Sequence, residues 1–137
     1  MPPAPQQTPS GHRVTGKMWG ITKPQLNSFL HRCQADASWD EQDSVRDLVR
    51  KFVVPWTTGY GMGYSLLMNS DDPKEVHVML SHSWNENAAS FLRDVQAYVR
   101  EEEVMFICFL ALYQAEDGAG PTINEQLGDD VHFGPFA

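Results

Sequence analysis

Apolar residues recur at helical spacing in two segments of the first half of the chain. The first stripe, at i, i+3, i+4 and i+7, consists of Leu26, Phe29, Leu30 and Cys33. Thr22 and Gln25 stand before it at capping-box spacing. The second stripe consists of Val45, Leu48, Val49 and Phe52. Ser38 and Glu41 stand before this one at the same spacing, and Pro55 should end the helix, because the residue before a proline disfavours helical conformation. The pattern predicts two N-terminal helices.

A different pattern begins at Val76 and predicts a strand, a helix and a second strand. Apolar and polar side chains alternate over residues 76–80, as in a half-buried strand. Ser83 and Glu86 have capping-box spacing and precede a third apolar helical stripe. That stripe consists of Ala88, Phe91, Leu92, Val95 and Val99. The run from Val104 to Tyr113 is apolar on both faces, which is typical of a strand that is covered on both sides.

These elements place the chain in the α/β class. A strand, a helix and a strand form a βαβ unit, in which the two strands are parallel and the crossover is right-handed. Thr122 and Glu125 then predict the start of a short helix. Two parallel strands need further neighbours and covering layers to be stable. No third strand is found before Ala137, so we expect an incomplete sheet, completed by a further segment or by another chain.

The first residues differ in composition from the rest of the chain. Residues 1–16 hold four of the nine prolines and almost no large apolar side chain. Such a segment buries too little surface to offset its ordering entropy. We expect residues 1–16 to be a disordered tail or an extended strap on a partner, and residues 17–137 to form a single α/β domain.

The charge of the chain disfavours nucleic-acid partners. The sequence has 18 acidic and 10 basic side chains, a formal net charge of −8. A negative surface repels phosphate unless it carries a local basic patch. Arg93 and Arg100 do not form one, because they stand beside Asp94 and Glu101. We expect no nucleic-acid partner.

Membrane and redox signals are also weak. The longest apolar run, from Val104 to Tyr113, is about half the length that a membrane helix needs, so no membrane span is expected. Cys33 and Cys108 form neither a disulfide framework nor a metal-binding spacing. We therefore expect a reducing, intracellular compartment, and no metal.

Short motifs in the second half resemble a known family. The segment from Val78 to Trp84 and the helix after it resemble the first strand and helix of TIR-type (Toll-receptor-like) domains, and Ile107 to Gln126 resembles the next strand, loop and helix start. Val45 to Ala137, about two thirds of the chain, resembles more closely a group of uncharacterised TIR-like proteins of unicellular algae. The motifs are Pro55-Trp56-Thr57, Gly61-Met62-Gly63-Tyr64-Ser65, Ser81-His82-Ser83-Trp84, Tyr113-Gln114 and Glu125-Gln126-Leu127.

The resemblance implies a TIR-like or flavodoxin-like parallel sheet. It also implies that a third strand and a Trp-Cys-x-x-Glu helix follow, whose glutamate serves catalysis in NAD-cleaving members. We expect that glutamate to lie beyond Ala137, so that no residue of this sequence takes the catalytic role. NAD is then a ligand only if the domain is completed.

Polar residues at two strand ends are candidates for ligand binding. In open α/β sheets, ligands bind beyond the carboxyl ends of the strands. The candidates are Ser81, His82, Ser83, Trp84, Tyr113 and Gln114. The alternative is structural, with Ser83 capping the helix and His82 held by hydrogen bonds.

Other candidate chemistry has a simpler structural explanation. The glycine loop from Gly59 to Gly63 lacks a lysine at Walker spacing, so a tight turn is favoured over a phosphate site. A dyad of His82 and Cys108 is disfavoured, because a thiol in a buried strand stays neutral. His77, His82 and His132 do not have zinc-ligand spacing.

Tryptophans complete the candidate sites. Trp19, Trp39 and Trp56 either anchor helices to the core or bind a partner, because tryptophan is enriched at interface hot spots.

Two functions remain open. The favoured one is a non-catalytic protein–protein interaction or accessory scaffold subunit; the alternative is the N-terminal portion of a TIR-like nucleotide-binding or NAD-hydrolysing domain.

Overall fold

The structure, a computed structural model, describes residues 2–128. Its strands are β1 (Gln6–Gln7), β2 (Arg13–Val14), β3 (Ile21–Thr22), β4 (Val78–Leu80) and β5 (Val104–Ile107). Its helices are α1 (Lys23–Gln34), α2 (Val45–Leu48), α3 (Val54–Thr57), α4 (Tyr64–Met68), α5 (Ala88–Tyr98), α6 (Cys108–Ala111) and α7 (Ile123–Leu127). A 3₁₀ turn spans Gly16–Met18, and a π-helical turn, Val49–Val53, joins α2 to α3. The α/β class is confirmed. None of the helices among residues 2–128 has the length and apolar character to cross a membrane.

The main sheet has three strands in the order β3-β5-β4. β4 and β5 are parallel, with Val78 opposite Met105, which confirms the predicted parallel pair around α5. β3 pairs with the other edge of β5 and is antiparallel, with Ile21 opposite Met105. The sheet is therefore mixed, and its third strand comes from before α1 within the same chain. Two residues are too short a strand to produce a recognisable alternation in the sequence.

The first and last predicted helices begin where their capping boxes place them. The Thr22 hydroxyl accepts a hydrogen bond from the backbone N–H of Gln25 at 3.3 Å. The side-chain oxygen of Gln25 accepts one from the backbone N–H of Thr22 at 3.0 Å. The predicted stripe of α1 is buried in full. Thr122 and Glu125 form the same reciprocal pair at the start of α7. Both boxes satisfy N–H groups that the first helical turn leaves free.

The second predicted helix is correct in its apolar stripe and wrong in both of its ends. The capping box at its start consists of Ser44 and Asp47 and not of Ser38 and Glu41. The Asp36 carboxylate instead accepts from the Ser38 N–H and hydroxyl, which makes a turn there. The helix also continues past Pro55, because the π-helical turn places this proline in the first turn of α3, where a missing N–H is tolerated.

The predicted strand from Val104 to Tyr113 ends early. β5 stops at Ile107, and the chain continues as the helix α6. Phe109, Leu110 and Ala111 are fully buried in α6. A short buried helix is apolar on all sides, which is why its sequence has the same character as that of a covered strand.

The start of α5 also differs from the prediction. Its cap is Asn87, whose side-chain oxygen accepts from the Ser90 N–H at 2.8 Å. The Ser83 N–H donates to the Glu86 carboxylate at 2.6 Å, so the predicted pair closes a turn ahead of the helix rather than its first turn.

The N-terminal segment folds on this chain's own body, although disorder or a partner contact was expected. β1 and β2 pair as an antiparallel hairpin, with Gln6 opposite Val14. The Gln6 side chain is fully buried. Its amide donates to the carbonyl of Ala111 at 2.7 Å and to Gln126 at 2.9 Å, and its oxygen accepts from the Gly63 N–H at 2.9 Å. A glutamine that satisfies buried polar groups orders a segment that has few apolar side chains. We call residues 2–14 the N-terminal strap.

Candidate functional site

An open groove of 330 Å³ is lined by residues from α2, the π-helical turn and α3, and from the segments that follow β4 and α6. Two of the six predicted ligand residues, Trp84 and Gln114, line it together. Its full lining is Arg46, Val49, Arg50, Val54, Trp84, Gln114 and Ile123. We call this site the Arg46–Trp84 groove. Gln114 follows α6 and not, as the sequence predicted, the end of a strand, and ligand binding by these residues stays a prediction.

Backbone pairing holds the two walls of the groove at a fixed distance. Ser44 and Asn87 form an isolated antiparallel bridge, and the Ala88 N–H donates to the carbonyl of Asp43 at 2.9 Å. Beside this bridge the Arg46 N–H donates to the carbonyl of Trp84 at 3.0 Å. The start of α2 is therefore tied to the segment that follows β4. Arg46 and Trp84 are positioned by main-chain hydrogen bonds, which makes the site rigid without any ligand.

The π-helical turn shapes the same wall. Val49 and Arg50 belong to this turn, and Val54 follows it directly. Turns of this kind are rare and frequently occur at functional sites, because the wider turn changes the direction of side chains that a regular helix would stack. Here the turn presents the aliphatic side chain of Val49 and the guanidinium of Arg50 to the groove, and Val54 of α3 adds a second aliphatic side chain.

The two arginines of the groove differ in their charge environment. Arg50 donates to the Asp47 carboxylate at 2.9 Å. The guanidinium carbon of Arg46 lies 5.9 Å from the centroid of the Trp84 ring, within the range of a cation–π contact. Arg46 forms no ion pair with any residue in the range 2–128. The groove thus carries one uncompensated positive charge in a chain whose formal net charge is −8.

Gln114 lines the groove, but its amide nitrogen is closed off from solvent. That nitrogen has no hydrogen-bond partner among the described residues. A buried donor without an acceptor costs about 1–3 kcal/mol.

His82 lies behind the groove wall and not in it. Its ring makes edge contacts with Trp84, Phe91 and Phe109 at centroid distances of 5.4, 5.8 and 5.0 Å. Its Nδ1 is buried and has no partner within residues 2–128, so the expected hydrogen-bonded histidine is instead packed among rings. Burial lowers the pKa of His82, which keeps the ring neutral. Ser81 and Ser83, on either side of it, are exposed.

Tyr113 is separate from the groove and holds the glycine loop. Its hydroxyl donates to the Asp117 carboxylate at 2.6 Å and accepts from the Gly59 N–H at 3.0 Å. Burial raises the pKa of Tyr113. The N–H groups of Gly59 and Gly63 are both engaged, by Asp117 and by Gln6. Because these donors are used inside the chain, the loop is a packed turn and not a phosphate cradle.

The three remaining tryptophans occupy different environments. Trp19 is fully buried, and its indole N–H donates to the carbonyl of Val14 at 2.8 Å, so it contacts no partner in this fold. Trp56 is half-buried beneath the guanidinium of Arg32, 3.8 Å from its ring centroid. Trp39 is also half-buried and donates to Glu41 at 3.2 Å. Only the last two present any surface to another chain.

Burial makes the two cysteine thiols poor nucleophiles. Burial raises the pKa of Cys33 to about 12 and also raises the pKa of Cys108. Across residues 2–128, histidine, cysteine and acidic side chains form no group of three that would hold a metal ion. His132, one of the three weighed as ligands, lies outside the described residues.

Sequence reasoning missed Arg46 and Arg50, the two cations of the groove. Their i, i+4 spacing, which places both side chains on one helix face, was the available signal. No family model, no curated protein and no solved structure matches this chain. The α/β fold and the groove are therefore the basis for assigning a function.

Proposed function

We propose that this chain is a non-catalytic protein–protein interaction or accessory subunit that binds a segment of a partner protein in the Arg46–Trp84 groove. The observation that carries the proposal is the joint presence, in one open groove, of Trp84 and of Arg46, which has no ion-pair partner among the described residues. Tryptophan and arginine are the side chains most enriched at interface hot spots. An open groove also leaves room for the partner chain to enter and leave.

The chemistry of the groove favours binding over catalysis. Its polar side chains are two guanidinium groups and one amide. None of these exchanges a proton near neutral pH or acts as a nucleophile in that state. The nearest titratable ring, His82, is packed against Phe91 and Phe109 behind the wall.

The open edge of the sheet offers a second contact for the same role. β4 is one of the two outer strands of the sheet, and Met79 on it is exposed over 58% of its surface. An edge strand accepts a strand from another chain through its free backbone groups. A partner that completes the sheet here fits the proposed subunit. The two free cysteines also support a reducing, intracellular setting.

Peptide selection on the intact protein tests the proposal. Peptides selected from a random phage library should bind the native chain and lose binding in Trp84→Ala and Arg46→Glu. Arg100→Glu is the matched control, because this arginine is exposed, unpaired among the described residues and outside the groove. Selected peptides that bind all variants equally would contradict the groove as the binding surface.

The alternative is the N-terminal portion of a TIR-like nucleotide-binding or NAD-hydrolysing domain. It is favoured by the parallel pair β4–β5 and by Trp84, which follows the end of β4 and lines the groove, because nucleotides bind beyond the carboxyl ends of strands in open α/β sheets. The parallel β4–α5–β5 unit is compatible with the resemblance to TIR-like proteins, and the antiparallel β3 is a departure from a parallel sheet. NAD at millimolar concentration should then shift the NMR signals of Ser81–Trp84 and Gln114. Unchanged signals would exclude this alternative for the chain.

A further inference from the structure

We infer that the Arg46–Trp84 groove recognises a single carboxylate beside an apolar side chain, in the form of an aspartate or glutamate next to a leucine-like residue of the partner protein. The inference rests on the proposed function and specifies the chemistry of its ligand.

The charge balance of the groove selects a ligand with one negative charge. Asp47 forms an ion pair with Arg50 at 2.9 Å, whereas Arg46 has no ion-pair partner within residues 2–128. One uncompensated guanidinium matches one carboxylate. A phosphate dianion or a pyrophosphate would bring a second negative charge close to Asp47, into a chain that is already strongly acidic.

The guanidinium of Arg46 matches a carboxylate in geometry. It presents parallel N–H groups, which suit the two oxygens of a carboxylate. Free chain termini are typically captured by clustered backbone N–H groups. Side-chain donors on an open groove therefore favour an acidic side chain within a continuing peptide.

The rest of the lining selects the apolar neighbour. Val49, Val54 and Ile123 are aliphatic, and the ring of Trp84 completes this surface. Burying a leucine-sized side chain here contributes favourable free energy that a carboxylate alone would not provide. The volume of 330 Å³ lies near the lower end of the range for ligand pockets, about 300–1,000 Å³, which suits neighbouring side chains of a peptide.

Two matched peptides isolate the carboxylate. The probes are acetyl-Leu-Glu-amide and acetyl-Leu-Gln-amide, which have nearly the same shape and differ in one charge. Binding to the full chain is followed through the NMR signals of the Trp84 indole N–H and the Gln114 side-chain amide. At low salt we expect the Glu peptide to bind roughly tenfold more tightly, as for one charge-assisted hydrogen bond. The preference should shrink as salt is added.

Variants assign the preference to Arg46. Arg46→Gln should remove the preference, so that the two peptides bind with equal affinity. Arg100→Gln removes the same charge outside the groove and should retain the preference. Unchanged signals elsewhere in each variant show that the fold is intact.

The outcomes separate this inference from the proposed function. Equal binding of both peptides to the native chain overturns the carboxylate inference and leaves a binding groove in place. A preference that survives Arg46→Gln overturns it as well, because another cation would then hold the carboxylate. If neither peptide moves the groove signals while phage-selected peptides do, the stated ligand chemistry is wrong; if no peptide of either kind binds, both proposals fail.

Discussion

The buried glutamine of the N-terminal strap provides the sharpest test of the fold. Replacing Gln6 by alanine removes three hydrogen bonds, to the carbonyl of Ala111, to Gln126 and from the Gly63 N–H. At about 1 kcal/mol for each net hydrogen bond, the free energy of unfolding should fall by about 3 kcal/mol. For a domain of this size the midpoint of thermal unfolding should fall by roughly 10 °C.

The neighbouring glutamine is the control. Gln7 is exposed, and its amide lies 3.5 Å from the carbonyl of Gly11, a marginal contact. Gln7→Ala should change the free energy of unfolding by less than about 0.5 kcal/mol. Both variants are compared in urea unfolding followed by tryptophan fluorescence and circular dichroism, with equal m-values required. If Gln6→Ala and Gln7→Ala have the same small effect, the strap does not dock on the body of the protein as described.

Three further predictions follow from packing and burial. Gly63→Ala should lower the free energy of unfolding by at least about 2 kcal/mol, because the added Cβ would clash with the carbonyl oxygen of Ala111; a fully stable variant in urea would contradict this contact. Cys33 and Cys108 should resist Ellman's reagent at pH 8 in the folded protein and react in urea, because burial raises the pKa of both thiols; rapid reaction of the native protein would exclude the burial described here. His82 should titrate below its ordinary pKa of 6.5 in NMR, and its contribution to stability should be complete above that pH and be lost as the pH falls through the lowered folded pKa; a pKa at or above 6.5 would show that the ring is not buried among aromatic groups.

Local signals in the sequence were sufficient for the helices that begin at a capping box. Thr22 with Gln25 and Thr122 with Glu125 identify helix starts from four residues each, because the hydrogen bonds involved are local. Capping-box spacing predicts a helix start at Ser38, whereas the helix in the structure begins after Ser44. Ser44 has Asp47, not Glu or Gln, at the third position, and the shorter acid still closes the box.

Apolar runs identified buried segments without fixing their secondary structure. The run that begins at Val104 is strand as far as Ile107 and helix from Cys108, and both parts are buried. Periodicity carries no information where every position is apolar. The hydrophobic pattern therefore predicts where the core lies better than which element fills it.

The candidate site was predicted in part, for a physical reason. Trp84 and Gln114 do line one groove, although Gln114 follows α6 and not the end of β5, so the predicted meeting of two strand ends is not what brings them together. Arg46 reaches the same site only through pairing between residues 43–46 and 84–88. Contacts between segments that are so far apart in sequence depend on the whole fold, and no local pattern in a single sequence predicts them.

The contacts of the N-terminal strap have a kinetic consequence. Gln6 bonds to Ala111 across 105 positions and to Gln126 across 120 positions. During synthesis the bond to Ala111 must wait for Ala111 and the bond to Gln126 for Gln126, so Gln6 lacks partners while the helices that precede them are already free to form. Because the closing of such long loops is entropically costly, the strap should dock after the central elements have packed. The first residues to be synthesised are thus among the last to reach their final position.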